Sequence, residues 1–125
     1  MHYVQVVAML AVLQYLLFGL LVGRARTRFH VNAPATTGSE EFERVYRVHM
    51  NTLEQLAAFL PVLWVASLYW PDQWVALIGV IYLVGRFAYR RLYLADPAKR
   101  GPGFLLTVGP TFVLLVMGLA GAMAR

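Results

Sequence analysis

The sequence predicts an all-α integral membrane protein, a bundle of four transmembrane helices. Three observations carry that expectation. Of the 125 residues, 60% are hydrophobic and only 14% are charged, too apolar a balance for an ordinary soluble domain. Uncharged runs long enough to cross a ~30 Å hydrocarbon core recur along the chain. Short stretches rich in proline, glycine and charge separate those runs. At this length the chain forms one domain, residues 1–125.

The elements follow in order. Tyr3 to Gly23 carries no charge, and a first span over residues 3–24 ends where Arg24, Arg26 and Arg28 begin. A cleaved signal peptide is the rival reading, but the start has no Lys or Arg and no small-x-small site follows the apolar run. Val31 to Glu40 reads as a loop. Ser39 is placed to cap the next helix, with Glu40, Glu41 and Glu43 in or near its first turn. That helix spans residues 40–69, and Pro61 inside it predicts a kink. Trp70-Pro71 makes a tight turn with aromatics on both flanks, as a membrane–water boundary favours. A third span covers residues 73–95 and stops at Asp96-Pro97. A fourth covers 103–124, with Pro102 near its first turn and Pro110 as a second kink.

Four spans place both termini on one side. Of the eleven basic residues, all but Arg125 fall on the other: Arg24, Arg26, Arg28, Arg44, Arg47, Arg86, Arg90, Arg91, Lys99 and Arg100. The positive-inside tendency makes that side cytoplasmic and puts the termini opposite. Because these charges flank spans, the net charge of +5 reads as topology and anion binding, not nucleic-acid binding. With no cysteine, the chain has no disulfide, no thiolate metal site and no cysteine nucleophile, so any thiol chemistry must use the substrate's thiol.

The densest charge lies between Glu41 and Glu54, at the threshold of the second span. Arg47, Asn51 and Glu54 are spaced i, i+4, i+7 and share an arc of about 60°, one polar stripe. Arg86, Tyr89, Arg90 and Tyr93 have matching helical spacing on the third span, while Arg26 and Arg100 come from the two loops. Intramembrane ionisable groups default to a functional site. Several guanidiniums, one carboxylate, one amide and two phenols suit a small ligand with carboxylates, an ammonium and peptide bonds. A guanidinium also favours the thiolate form of a nearby thiol. The plainer reading makes Arg24 and Arg91 snorkelling orientation signals, Arg47 with Glu54 a structural pair, and the tyrosines an aromatic belt. His49 lies about 200° from Arg47, so it serves either as packing or as a contact to a neighbouring chain. No metal-ligand spacing, Ser-His-Asp set or phosphate loop is present in the sequence.

Thr36-Thr37-Gly38, Glu41-Phe42-Glu43-Arg44-Val45-Tyr46-Arg47, Asn51, Glu54 and the later Tyr82-Leu83, Arg86, Tyr89, Tyr93 together resemble one family. It is that of membrane-associated proteins in eicosanoid and glutathione metabolism (MAPEG). The resemblance covers nearly the whole chain. It implies a homotrimer of four-helix subunits that binds glutathione, as co-substrate and without metal, between adjacent subunits near the cytoplasmic face. Arg47, Asn51, Glu54, Arg86, Tyr89 and Tyr93 would come from one subunit, with Arg26 and His49 from its neighbour. Arg100 matches the family arginine that holds the thiolate and is the catalytic candidate. Two positions depart from one branch of the family: Thr27 replaces a second arginine after Arg26, and Gln55 replaces a tyrosine after the motif glutamate.

The expectation is a glutathione transferase that conjugates the thiolate to a lipophilic electrophile arriving from the bilayer, with lipid hydroperoxide reduction as a variant. A non-catalytic scaffold binding lipid or glutathione is the alternative. A small transporter is disfavoured because the spans lack paired half-helices or an acidic relay. The short chain suggests a bacterial inner membrane.

Overall fold

The computed structural model describes residues 2–124. They form α1 (Tyr3–Phe29), α2 (Glu40–Tyr69), α3 (Asp72–Ala95), a 3-10 turn over Pro97–Lys99, and α4 (Gly101–Met123). α1, α2 and α4 are long and apolar enough to cross a membrane. α3, of 24 residues, carries arginines through its last third. The result is an all-α bundle with three to four membrane-spanning helices. Arg125, assigned to the terminal side from sequence, lies outside the described residues.

α1 does not stop at the arginines. It continues to Phe29, where His30 turns left-handed (φ 57°, ψ 44°) and ends it. Arginine is a good helix former, and Arg26 and Arg28 in the last turn face the negative end of the helix dipole. Ser39 caps α2, its Oγ accepting from the Phe42 amide at 3.3 Å. Pro61 and Pro110 lie inside α2 and α4, and neither ends its helix.

Two ends receive help from a neighbouring helix. Asp72, at the start of α3, accepts from the amides of Tyr3 (2.8 Å) and Val4 (3.2 Å) and so caps α1, which has no side-chain cap from its own N-cap residue. α3 has no basic residue in its last turn, but Arg44 of α2 donates to the carbonyls of Leu94 (3.1 Å) and Ala95 (3.4 Å). The Asp72 bonds put the starts of α1 and α3 at one end. The arginines of α1, the start of α2 and the end of α3 share the other.

The apolar core lies nearer the Asp72 end. There Phe59 of α2 stacks on Tyr82 of α3, ring centroids 3.8 Å apart, among Val7, Leu63, Val75 and Leu114. Towards the arginine end α3 and α4 meet backbone to backbone. A Cβ on Gly85 would lie 2.6 Å from the carbonyl of Leu106, and one on Gly103 would collide with the Tyr89 backbone. That approach seats Tyr89 against the first turn of α4. Gly103→Val must push the two helices apart, and overpacking of this kind costs about 1–3 kcal/mol. Thermal unfolding in detergent should show a lowered midpoint for Gly103→Val and little change for Gly101→Ala, where a Cβ meets nothing within 4 Å.

Candidate functional site

The arginine end contains a guanidinium with no access to solvent. Arg86 is 0% exposed and is held by three helices. Its Nη2 donates to Thr52 Oγ1 (2.8 Å) and Asn51 Oδ1 (3.0 Å) of α2, and its Nη1 to Thr107 Oγ1 of α4 (3.3 Å). The Tyr89 ring lies 4.3 Å from the guanidinium carbon. Each threonine hydroxyl donates to the carbonyl one turn back, Thr52 to Val48 and Thr107 to Gly103. Its one proton is therefore committed, and only an acceptor lone pair faces the cation. Nε of Arg86 has no partner.

Asn51 transmits this arrangement outward. Arg86 can only donate, which fixes the Asn51 carbonyl toward it. The Asn51 Nδ2 then donates to Glu54 Oε1 at 3.2 Å. An oriented chain thus runs from buried Arg86 through half-buried Asn51 to exposed Glu54. Arg47 is exposed one turn earlier on α2. Beside Asn51 opens a cavity of about 400 Å³, lined by Asn51, Tyr89, Ala98, Arg100, Gly101 and Phe104. Arg100 is exposed and anchored through Nη1 to the Pro97 carbonyl at 2.9 Å. Tyr93 stacks on Tyr89 with centroids 5.5 Å apart. Asn51, Tyr89 and Arg100 therefore share one cavity, with Glu54 and Tyr93 in contact with its walls.

Two candidates lie elsewhere in the subunit. Arg26 donates to the carbonyls of Ala35 (2.8 Å) and Val31 (3.4 Å) and sits over the Phe42 ring, so it closes the α1–α2 loop. His49 stacks on Tyr15 of α1, centroids 4.6 Å apart, above Gly19. The α3 stripe also divides: Arg86, Tyr89 and Tyr93 stay together, while Arg90 lies over Phe18 toward α1. Thr52 and Thr107 are the partners that pattern reading missed. A lone hydroxyl in an apolar helix looks like a neutral core residue, and only its facing arginine shows what it does. Among the described residues, no group of three or more His, Asp or Glu side chains could hold a metal ion.

The fold is thus a helical membrane bundle whose arginine-rich end holds a cavity lined by a guanidinium, an amide and a phenol, with the Glu54 carboxylate hydrogen-bonded to its wall. Residues 4–120 match the MAPEG family, and the chain belongs to it. It is similar to human microsomal glutathione S-transferase 2, 37% identical over 115 residues, which cover 92% of this chain and 78% of that protein. Bovine leukotriene C4 synthase is 35% identical over 119 residues, 95% of this chain and 79% of the synthase. An uncharacterised protein of Synechocystis is 46% identical over 110 residues, 88% of this chain and 80% of that protein.

Thr107→Val keeps the volume but removes one of the few acceptors for a buried cation. A buried donor left without its acceptor costs about 1–3 kcal/mol. Denaturation in detergent should show that loss for Thr107→Val, whereas Thr111→Val, on the next turn of α4, should change stability by less than about 0.5 kcal/mol.

Proposed function

We propose that this protein is a membrane glutathione transferase that joins the thiolate of glutathione to a lipophilic electrophile. The observation that carries the reading is the shared cavity of Asn51, Tyr89 and Arg100, with the Asn51 amide already oriented by Arg86 and hydrogen-bonded to Glu54. Membership of the MAPEG family and likeness to microsomal glutathione S-transferase 2 support it.

The assignment of roles follows from charge and donor type. Glu54 takes the ammonium of glutathione with the carboxylate oxygen that Asn51 leaves free. Asn51 uses its second amide hydrogen on a peptide carbonyl. Arg47 takes a carboxylate as a planar fork. Tyr89 and Tyr93 supply a stacked phenol wall, and Arg86 binds through Asn51 from behind. Arg26 and His49 contribute from an adjacent subunit of a homotrimer, which accounts for their distance from the cavity within one chain. Arg100 lowers the thiol pKa by favouring the anion. The thiolate then attacks carbon and the S–C bond forms; in a substitution the leaving group departs with the electron pair of its broken bond, and in an addition the atom that receives the π-bond electron pair takes a proton from water. Apolar substrate arrives through lipid and glutathione from the cytoplasmic side, where the arginine end lies. Reduction of lipid hydroperoxides is a variant of the same thiolate chemistry.

The first test is difference absorbance at the thiolate band, at pH 7, with purified protein in detergent. Wild type should show a glutathione thiolate. Arg100→Ala should lose it and lose about 100-fold or more in turnover while still binding glutathione. Binding without a thiolate in wild type would point instead to the scaffold reading. Cross-linking in mild detergent tests the shared site: a trimer is expected, and a persistent monomer would remove Arg26 and His49 from it.

A further inference from the structure

A second cavity at the arginine end has a different character. It measures about 580 Å³ and lies where α1 meets α2 and α3, lined by Leu21, Arg24, Arg28, Val45 and Arg90 among others. It contains no carboxylate, amide or phenol, and shares no residue with the Asn51–Tyr89–Arg100 cavity. Arg24 and Arg28 are one helical turn apart on α1, and Arg90 reaches in from α3 across the Phe18 ring, 5.7 Å from its centroid. Among the described residues, the guanidiniums of these three donate no hydrogen bond, unlike Arg26, Arg44, Arg86 and Arg100. Three like charges converging on one partly apolar cavity repel one another unless an anion joins them.

The seam continues away from the arginines as a trough. A cavity of about 180 Å³ between the same two helices is lined by Leu10, Leu13, Leu17, Leu83 and Phe87, with one polar residue, Gln14, whose amide donates to the Leu83 carbonyl. On α1, Leu10, Leu13, Leu17, Leu21, Arg24 and Arg28 recur every three or four residues and so share one face. α1 and α3 run in the same direction, since Asp72 joins their starts and Arg24 and Arg90 share a cavity near their ends. From Leu13 to Arg24 the rise is about 16 Å, close to one leaflet of a ~30 Å hydrocarbon core. A cationic pocket above an acyl-length trough is the negative image of an anionic amphiphile. Basic pockets between transmembrane helices at the membrane surface are suited to phosphate headgroups.

We propose that the α1–α3 seam is a binding site for an anionic phospholipid, its phosphate held by Arg24, Arg28 and Arg90 and one acyl chain lying along Leu21, Leu17 and Leu13. The site is separate from the glutathione reading and does not rest on it. Charge complementarity selects an anionic headgroup over a zwitterionic one. The trough selects a lipid over a free phosphate.

Native mass spectrometry of the purified protein in non-ionic detergent tests this with phosphatidylglycerol and phosphatidylethanolamine as probes. Wild type should retain phosphatidylglycerol in preference. Arg24→Gln with Arg90→Gln should weaken that retention about thirtyfold. Arg91→Gln with Lys99→Gln removes the same charge from exposed positions outside the cavity and should retain the lipid. Leu17→Trp keeps every charge and fills the trough, so it should also reduce retention and reads the seam even if the arginine pair misfolds. Equal retention of the two lipids, equal loss in both charge pairs, or full retention in Leu17→Trp would each overturn the proposal. Displacement of the lipid by millimolar inorganic phosphate would make the site one for a free anion. Loss of oligomer mass in Arg24→Gln with Arg90→Gln, with no lipid on wild type, would make the seam a contact between copies of the chain.

Discussion

The bundle depends on one buried cation that has no counter-ion within its own shell. An isolated guanidinium transferred from water to a low-dielectric interior is strongly unfavourable, and a single acceptor does not offset that. Arg86 meets four different features: two threonine oxygens, one amide oxygen and an aromatic face. Hydrogen bonds to a charged group contribute about 1.5–3 kcal/mol each, more than neutral ones. Because the acceptors come from both α2 and α4, the cation is comfortable only when α2, α3 and α4 are all in place. Neutral acceptors also have a consequence for function. A carboxylate in direct contact with Arg86 would be neutralised there. With Asn51 between them, Glu54 stays out of contact with the guanidinium and remains exposed.

The same three-helix junction sets the cavity. The close approach of α3 and α4 at Gly85 and Gly103 brings Tyr89 against the start of α4, and Arg100 is the residue just before that start. A bulkier residue at either glycine would separate the phenol from the guanidinium that shares its cavity. The 3-10 turn closes the remaining freedom, since Asp96 Oδ1 accepts from the Ala98 amide and Arg100 holds the Pro97 carbonyl. Three residues of backbone therefore fix where the catalytic candidate stands relative to Asn51 on another helix.

Much of this was legible from residue spacing, and the limits are physical. The uncharged runs, the Ser39 cap and the Asp96-Pro97 stop are local properties, and each lies within a few residues of its cause. The Arg47–Asn51–Glu54 stripe was legible because helical periodicity places those residues together whatever surrounds the helix. α1 runs on to Phe29, past the arginines at which its uncharged run stops, because charge ends a hydrocarbon span but does not end a helix. Asp72 as the cap of α1, Arg44 as the cap of α3, and the two threonines under Arg86 all join residues far apart in sequence. No periodicity within one helix reports what a neighbouring helix places opposite it. For the same reason the α3 stripe looked continuous, although Arg90 turns to a different neighbour from Arg86.

The arginines are best sorted by what accepts their protons. Arg44 is satisfied by backbone carbonyls at a helix end and acts on the fold, whereas Arg26 closes its loop through Nη1 alone and keeps its other donors. Arg86 is satisfied by side chains from two helices and orients the site from behind. Arg100 gives one bond to Pro97 and keeps its other donors toward a cavity. Arg24, Arg28 and Arg90 line a cavity without a carboxylate and, among the described residues, donate no hydrogen bond. Residue type and net charge are the same in every case, and the positive-inside tendency treats them alike. What separates a topology signal from a ligand is the number of donors left unclaimed and whether they converge. By that measure the arginine end of this bundle has two separate cavities lined by arginines with unclaimed donors, one polar and facing Asn51, the other beside the leucines of the α1–α3 seam.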